Sequence, residues 1–118
     1  MQKPTEQESI STINFLAEQD GPPERELKRA LAHAFTQLRS VRTAYLAVVD
    51  YGNAFEQEVA VCVVTDVADP AEIVATTEKV FQEMFNSDAH LDILPLSNEE
   101  QSRISLVCRP FFTQPSPQ

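Results

Sequence analysis

The side chains that could do chemistry are few, and their spacing limits each of them. Asp88, His90 and Asp92 alternate at i, i+2 and i+4. On a strand they would share one face, and an Asp/His/Asp set can hold zinc or a harder cation. A closed site needs about four ligands, and no further histidine is near in sequence. The expected reading is a solvated strand start, and no metal is assigned. The two cysteines divide. Cys62 lies in the apolar run 59–64 and reads as a small buried hydrophobe. Cys108 precedes Arg109, where a cation would favour the thiolate. A Cys–His pair would need His33 or His90 beside Cys108, and His33 reads most simply as a helix flank. The carboxylate pairs Glu56/Glu58 and Glu99/Glu100 open a strand and a helix. General acid–base chemistry needs two carboxyls in unlike environments, one of them desolvated. Acids at a helix start are instead favourable where they stand. Gly21 and Gly52 are the only glycines, which excludes a phosphate-cradling loop, a dinucleotide fingerprint and a G-x-S-x-G elbow. No catalytic residue and no cofactor is assigned.

Charge and aromatic placement say more. The chain has 9 Lys+Arg and 18 Asp+Glu among 118 residues, for a net charge of −9. Residues 25–42 carry five cations (Arg25, Lys28, Arg29, Arg39, Arg42) against Glu26, a net +4. Residues 50–100 carry twelve acids against Lys79, a net −11. A docking surface is one consequence of such a split; a solubilising surface is the other. The candidate partner-binding residues are Arg25, Lys28, Arg29 and Arg39 on a basic helix face, with Phe111 and Phe112 as an aromatic anchor. The plain alternative for the two phenylalanines is closure of the core. The expected partner is another protein or a second copy, a homodimer included, since valine-rich strands can leave an edge that pairs with its copy. Nucleic acid is not expected, because binding it needs clustered cations. Nor is a membrane, because no 18-residue apolar run exists. The polar N-terminus lacks a signal peptide's apolar stretch, and two cysteines make no disulfide framework. A cytoplasmic protein is the expectation.

The elements that would position these groups follow from periodicity. Length implies one domain, bounded as a polar, disordered N-terminus over 1–8, a folded unit over 9–112 and a flexible tail over 113–118. Residues 9–16 suggest a short strand. Gly21-Pro22-Pro23 opens a helix to about residue 39, since Pro suits a helix start. Leu27, Leu31, Ala34 and Leu38 recur at the helical period, with Phe35 beside them, and the cations fall on the opposite face. Residues 41–49 predict a central strand. Asp50-Tyr51-Gly52-Asn53 supplies a turn, and residues 56–65 a second strand, apolar on both faces and paired with the first as a hairpin. Asp69-Pro70-Ala71-Glu72 predicts a capped helix to about 85, with Ile73, Thr77, Val80, Phe81 and Met84 as its buried stripe. Residues 90–94 predict a strand stopped by Pro95. Ser97-Asn98-Glu99-Glu100 is a second capping box, opening a helix to about 106. The order is (β)-α-β-β-α-β-α. The fold class is α+β: one antiparallel or mixed sheet of about four strands with two or three helices packed on it.

Four segments, in order, resemble the C-terminal domain of the enhanced serine sensitivity (SseB) protein family. They are Gly21-Pro22 opening a helix with Leu27 in its first turns, Ala44-Tyr45-Leu46-Ala47 on a strand, Leu91-Asp92-Ile93-Leu94-Pro95-Leu96, and Pro110-Phe111-Phe112. The family tends to have Tyr where Phe112 stands, and its members often place another domain before this one. The resemblance spans about residues 21–113. It implies a bacterial α+β domain and carries over no catalytic residue. The leading expectation is a non-enzymatic protein-interaction or regulatory module of unknown biochemical function. The alternatives are a client-specific chaperone like those of secretion systems, similar in size and charge, a small-ligand binder with an apolar pocket, or an enzyme using Cys108 or the Asp88/His90/Asp92 run.

Overall fold

The computed structural model describes residues 13–52, 57–85 and 91–115. The elements are β1 (Asn14–Glu18), α1 (Pro22–Gln37), β2 (Val41–Asp50), β3 (Glu58–Thr65), α2 (Ala71–Met84), β4 (Asp92–Pro95), α3 (Asn98–Ile104) and β5 (Pro110–Thr113). This is the expected order, closed by a fifth strand.

β2 is the spine of a five-stranded mixed sheet. On one side it pairs antiparallel with β3, which in turn pairs parallel with β4. A parallel pair needs a crossover, and α2 supplies it. The other side of β2 is shared: β1 pairs with its end, through Ala47 to Asp50, and β5 with its start, through Thr43 to Tyr45. Ten residues of β2 thus serve two short partners of five and four. The register of β2 slips against each of its three partners. Such bulges leave one residue unopposed and re-aim side chains. The unopposed residues are Leu16, Arg42 and Phe111.

Strand alternation sorts the core into two halves. On one face Ala44, Leu46, Val61 and Val63 meet Leu27, Leu31 and Phe35 of α1 and Ile73 of α2. On the other, Tyr45, Ala47, Val49, Ala60 and Cys62 meet Phe15, Ile104 and Cys108. β3 is therefore covered on both faces, as its two-sided apolar pattern requires. The longer helices lie over one face and α3 over the other. Arg103 of α3 donates to the Ile13 carbonyl at 2.6 Å and stacks over the Phe15 ring, which fixes α3 against β1.

Several local expectations need correction. β1 begins at Asn14 and runs to Glu18, further on than expected, and residues 9–12 lie outside the described residues. The first helix stops at Gln37, so Arg39 sits in the following turn. Asp69 makes no capping box with Glu72: it stands one residue before the N-cap, Pro70, and accepts from the Ala71 N–H at 3.0 Å as an Asx turn. The Ser97/Glu100 box does form, with both reciprocal bonds present. Pro95 ends β4 from within, which an edge strand tolerates. β5 was not expected at all, because four residues opening on a proline carry no period. Its backbone runs through Thr113, past the expected domain end at 112, and Gln114 is tied down beyond it.

Candidate functional site

The chemistry-bearing groups do not converge. Asp88, His90 and Glu56 lie outside the described residues. Asp92 accepts from the Tyr51 hydroxyl at 2.6 Å, a bond that joins the end of β2 to β4. Burial, with that carboxylate beside it, pushes the Tyr51 phenol well above its ordinary range. Among the described residues no group of three or more His, Cys, Asp or Glu is placed to hold a metal ion. Cys62 is fully buried, and burial pushes its thiol up to about 12. Cys108 is buried too; its thiol is raised to about 11, first by burial and then by the Glu18 charge. The neighbouring Arg109 acts in the expected direction but is outweighed, because its guanidinium is committed to Glu18. Glu100 caps α3, and Glu99 lies exposed in its first turn, 4.0 Å from Arg103.

The cations expected to form one basic helix face are placed in separate contacts. Lys28 is only 13% exposed and bridges Glu18 and Asp20 at the end of β1. Arg25 reaches Asp20 at 3.3 Å. Arg29 pairs with Glu26 one turn back at 2.8 Å. Glu18 also receives the Nε and Nη2 of Arg109 at 2.9 and 3.1 Å. Its carboxyl is held down at about 2 by these donors, Arg109 first and then Lys28, against the opposing effect of burial. Lys28 and Arg109, meeting at Glu18, thus tie α1, β1 and the entry to β5 together, while Arg25 holds Asp20. Phe112 is buried, and its ring meets Phe35 edge-on at 5.9 Å, while Phe111 stacks on the same ring at 6.3 Å. Two adjacent strand residues normally point to opposite faces; the bulge at Phe111 lets both reach α1.

A partly uncovered apolar surface lies between α1 and α2. Ala30 and Ala34 stand four apart on α1, and Val80 and Met84 four apart on α2, so each pair shares a face. Together with Glu26, Arg29, His33 and Glu83 they line an open groove of about 630 Å³. Met84 is 37% exposed. The apolar stripe expected along α2 is therefore covered only in its first half: Ile73 and Thr77 are buried, Val80 and Phe81 partly so, and Met84 is exposed. The cause is local, since α1 presents two alanines where longer side chains would reach across. The rim is closed by two surface ion pairs, Glu26–Arg29 and Lys79–Glu83, the latter at 2.9 Å. The signal in the sequence was Ala34, within the apolar stripe of α1, with Ala30 and His33 beside it, but only the packing of α2 gives those positions a meaning.

The family model described as SseB protein C-terminal domain matches residues 15–114. No match is found among curated proteins. None is found among solved structures.

Proposed function

This chain belongs to the SseB protein C-terminal domain family, and from that premise we propose that it is a small non-enzymatic protein-interaction or regulatory module. One observation carries the reading: the strip of Ala30, Ala34, Val80 and Met84 that is only partly covered between the two long helices, with Met84 exposed. Contiguous uncovered apolar patches mark contact sites. The groove is open along its length, so a small ligand would keep much of its surface in water, unlike one held in a typical pocket. A protein surface laid over both helices would cover the strip. The thiols, held protonated by burial, and Tyr51, bonded to Asp92, serve packing in this reading.

The test is capture from the native host with a tagged chain, beside a Met84→Glu variant checked for folding. One protein recovered stoichiometrically by the parent and lost from the variant supports the module. Equal recovery by both would sink the assignment of this face.

A further inference from the structure

We propose that Met84 is a site of reversible oxidation: a hydroperoxide converts its thioether to the sulfoxide and so weakens the contact made by the α1/α2 surface. The inference rests on reading that surface as a protein contact site, and it adds how the contact is regulated.

Access is the first argument. Among the described residues the sulfur-bearing side chains are Cys62, Cys108 and Met84. Cys62 is wholly buried and Cys108 nearly so, both in the half of the core that Ile104 of α3 covers. Met84 is 37% exposed and lines an open groove on the other side of the sheet. A peroxide in the surrounding water therefore meets the thioether before either thiol. Reactivity agrees with access. Cysteine reacts as its thiolate, and burial holds both cysteines in the thiol form. A thioether has no proton to lose.

The step needs only the peroxide. The Sδ lone pair attacks one peroxide oxygen, and the S–O bond forms as the O–O bond breaks. The other oxygen leaves as water, carrying the proton of the transferred oxygen. Sulfur loses two electrons and the peroxide gains them. Two reductant thiols reverse the change, becoming a disulfide while the sulfoxide oxygen leaves as water.

The position of the side chain is the second argument. Met84 is the last residue of α2. Val80, Phe81 and Phe85 pack against the core there, and Met84 does not. Oxygen added to it therefore leaves the fold in place. The effect falls on the groove, where the sulfoxide puts a strong acceptor into a strip that Ala30, Ala34 and Val80 otherwise keep apolar. A protein surface laid over that strip must then bury a polar group, which costs free energy unless the group is hydrogen-bonded.

The test treats the chain with hydrogen peroxide, maps the oxygen by peptide mass spectrometry and checks the fold by circular dichroism. Treated and untreated protein then capture from native-host extract, beside Met84→Leu, which keeps an apolar helix-forming side chain without sulfur. Oxygen is expected on Met84 while Cys62 and Cys108 stay reduced. Capture is expected to fall by roughly tenfold or more, the size of one interface hot spot, with the fold unchanged. Methionine sulfoxide reductases for both epimers are expected to restore it, and Met84→Leu to capture as well after peroxide as before. Oxidised cysteines beside an intact Met84 overturn the proposal. So does a Met84 sulfoxide that captures as well as untreated protein, or an equal loss from Met84→Leu. Each of these leaves the interaction reading standing where untreated protein captures its partner and Met84→Glu does not. Untreated protein that captures nothing overturns both.

Discussion

At the scale of single residues the chain uses its reactive groups as structure. Cys62 and Cys108 are buried thiols raised to about 12 and 11, so almost none of either is thiolate at neutral pH, and the thiolate is the nucleophile. Alkylation of the native protein by iodoacetamide is therefore expected to be slow at both sites and to become fast in denaturant. Rapid labelling of native Cys108, seen by peptide mass spectrometry, would contradict its placement. Gln114 is the least visible of the important residues. Its amide nitrogen donates to the carbonyls of Phe35, Leu38 and Val41, at 3.2 to 3.3 Å. The Phe35 and Leu38 carbonyls also accept the backbone N–H groups of Leu38 and Val41, so the amide ties the end of α1 and the start of β2 to the segment after β5. Gln114→Ala is expected to lower stability by about 1–2 kcal/mol, read from urea unfolding midpoints. Nothing in the sequence pointed to it, because its acceptors lie 73 to 79 residues earlier. Ser97 and Glu100 were legible for the opposite reason: a capping box is complete within four residues.

At the scale of elements, legibility follows the same division between local and distant causes. The stripe of Leu27, Leu31 and Phe35 identifies α1 and its buried face, and two-sided valine runs identify β3 as covered on both faces. β5 was missed because its identity comes from pairing with β2, not from any pattern of its own. The basic face of α1 looked open because periodicity shows which side a residue faces but not what else arrives there. Glu18 and Asp20 arrive. Glu18 links three elements and makes a pH signature. Its carboxyl titrates near 4.5 ordinarily and at about 2 in the folded protein. Above 4.5 both states are ionised, and its contribution to stability is whole. As pH falls below 4.5 the unfolded chain takes up the proton first, so the contribution shrinks and is gone once the folded carboxyl titrates at about 2. Glu18→Gln is expected to be less stable than the parent at neutral pH, with the gap closing on acidification. Urea midpoints taken in steps down to about pH 3 check this; a gap that stayed constant would remove Glu18 from the account.

At the scale of the whole molecule, the charge split along the sequence does not become two charged hemispheres. Most of the basic stretch pairs locally, with Glu18, Asp20 and Glu26, while Arg42 reaches across to Asp66 at 2.9 Å. The exposed pairs among these, Arg29–Glu26 and Arg42–Asp66, contribute about 0–1 kcal/mol each, and the groove between α1 and α2 remains a partly apolar surface. That separates two substitutions. Phe35→Ala removes a fully buried ring that both Phe111 and Phe112 contact, and is expected to cost about 3–5 kcal/mol. Met84→Glu changes an exposed side chain and is expected to move stability by roughly 1 kcal/mol or less, while abolishing the contact. Thermal and urea unfolding of both variants checks the contrast. Comparable losses would mean that Met84 belongs to the core.

The central claim is that the face around Met84 is a protein contact surface, and the chain offers a direct probe of it. Met1 and Met84 are its only methionines, so a protein labelled with ¹³C at the methionine methyls gives two signals, distinguished by a Met84 substitution. The Met84 signal is expected to shift or broaden as the protein is concentrated or as native-host extract is added, with the Met1 signal unchanged. A Met84 signal unmoved by either would contradict the account.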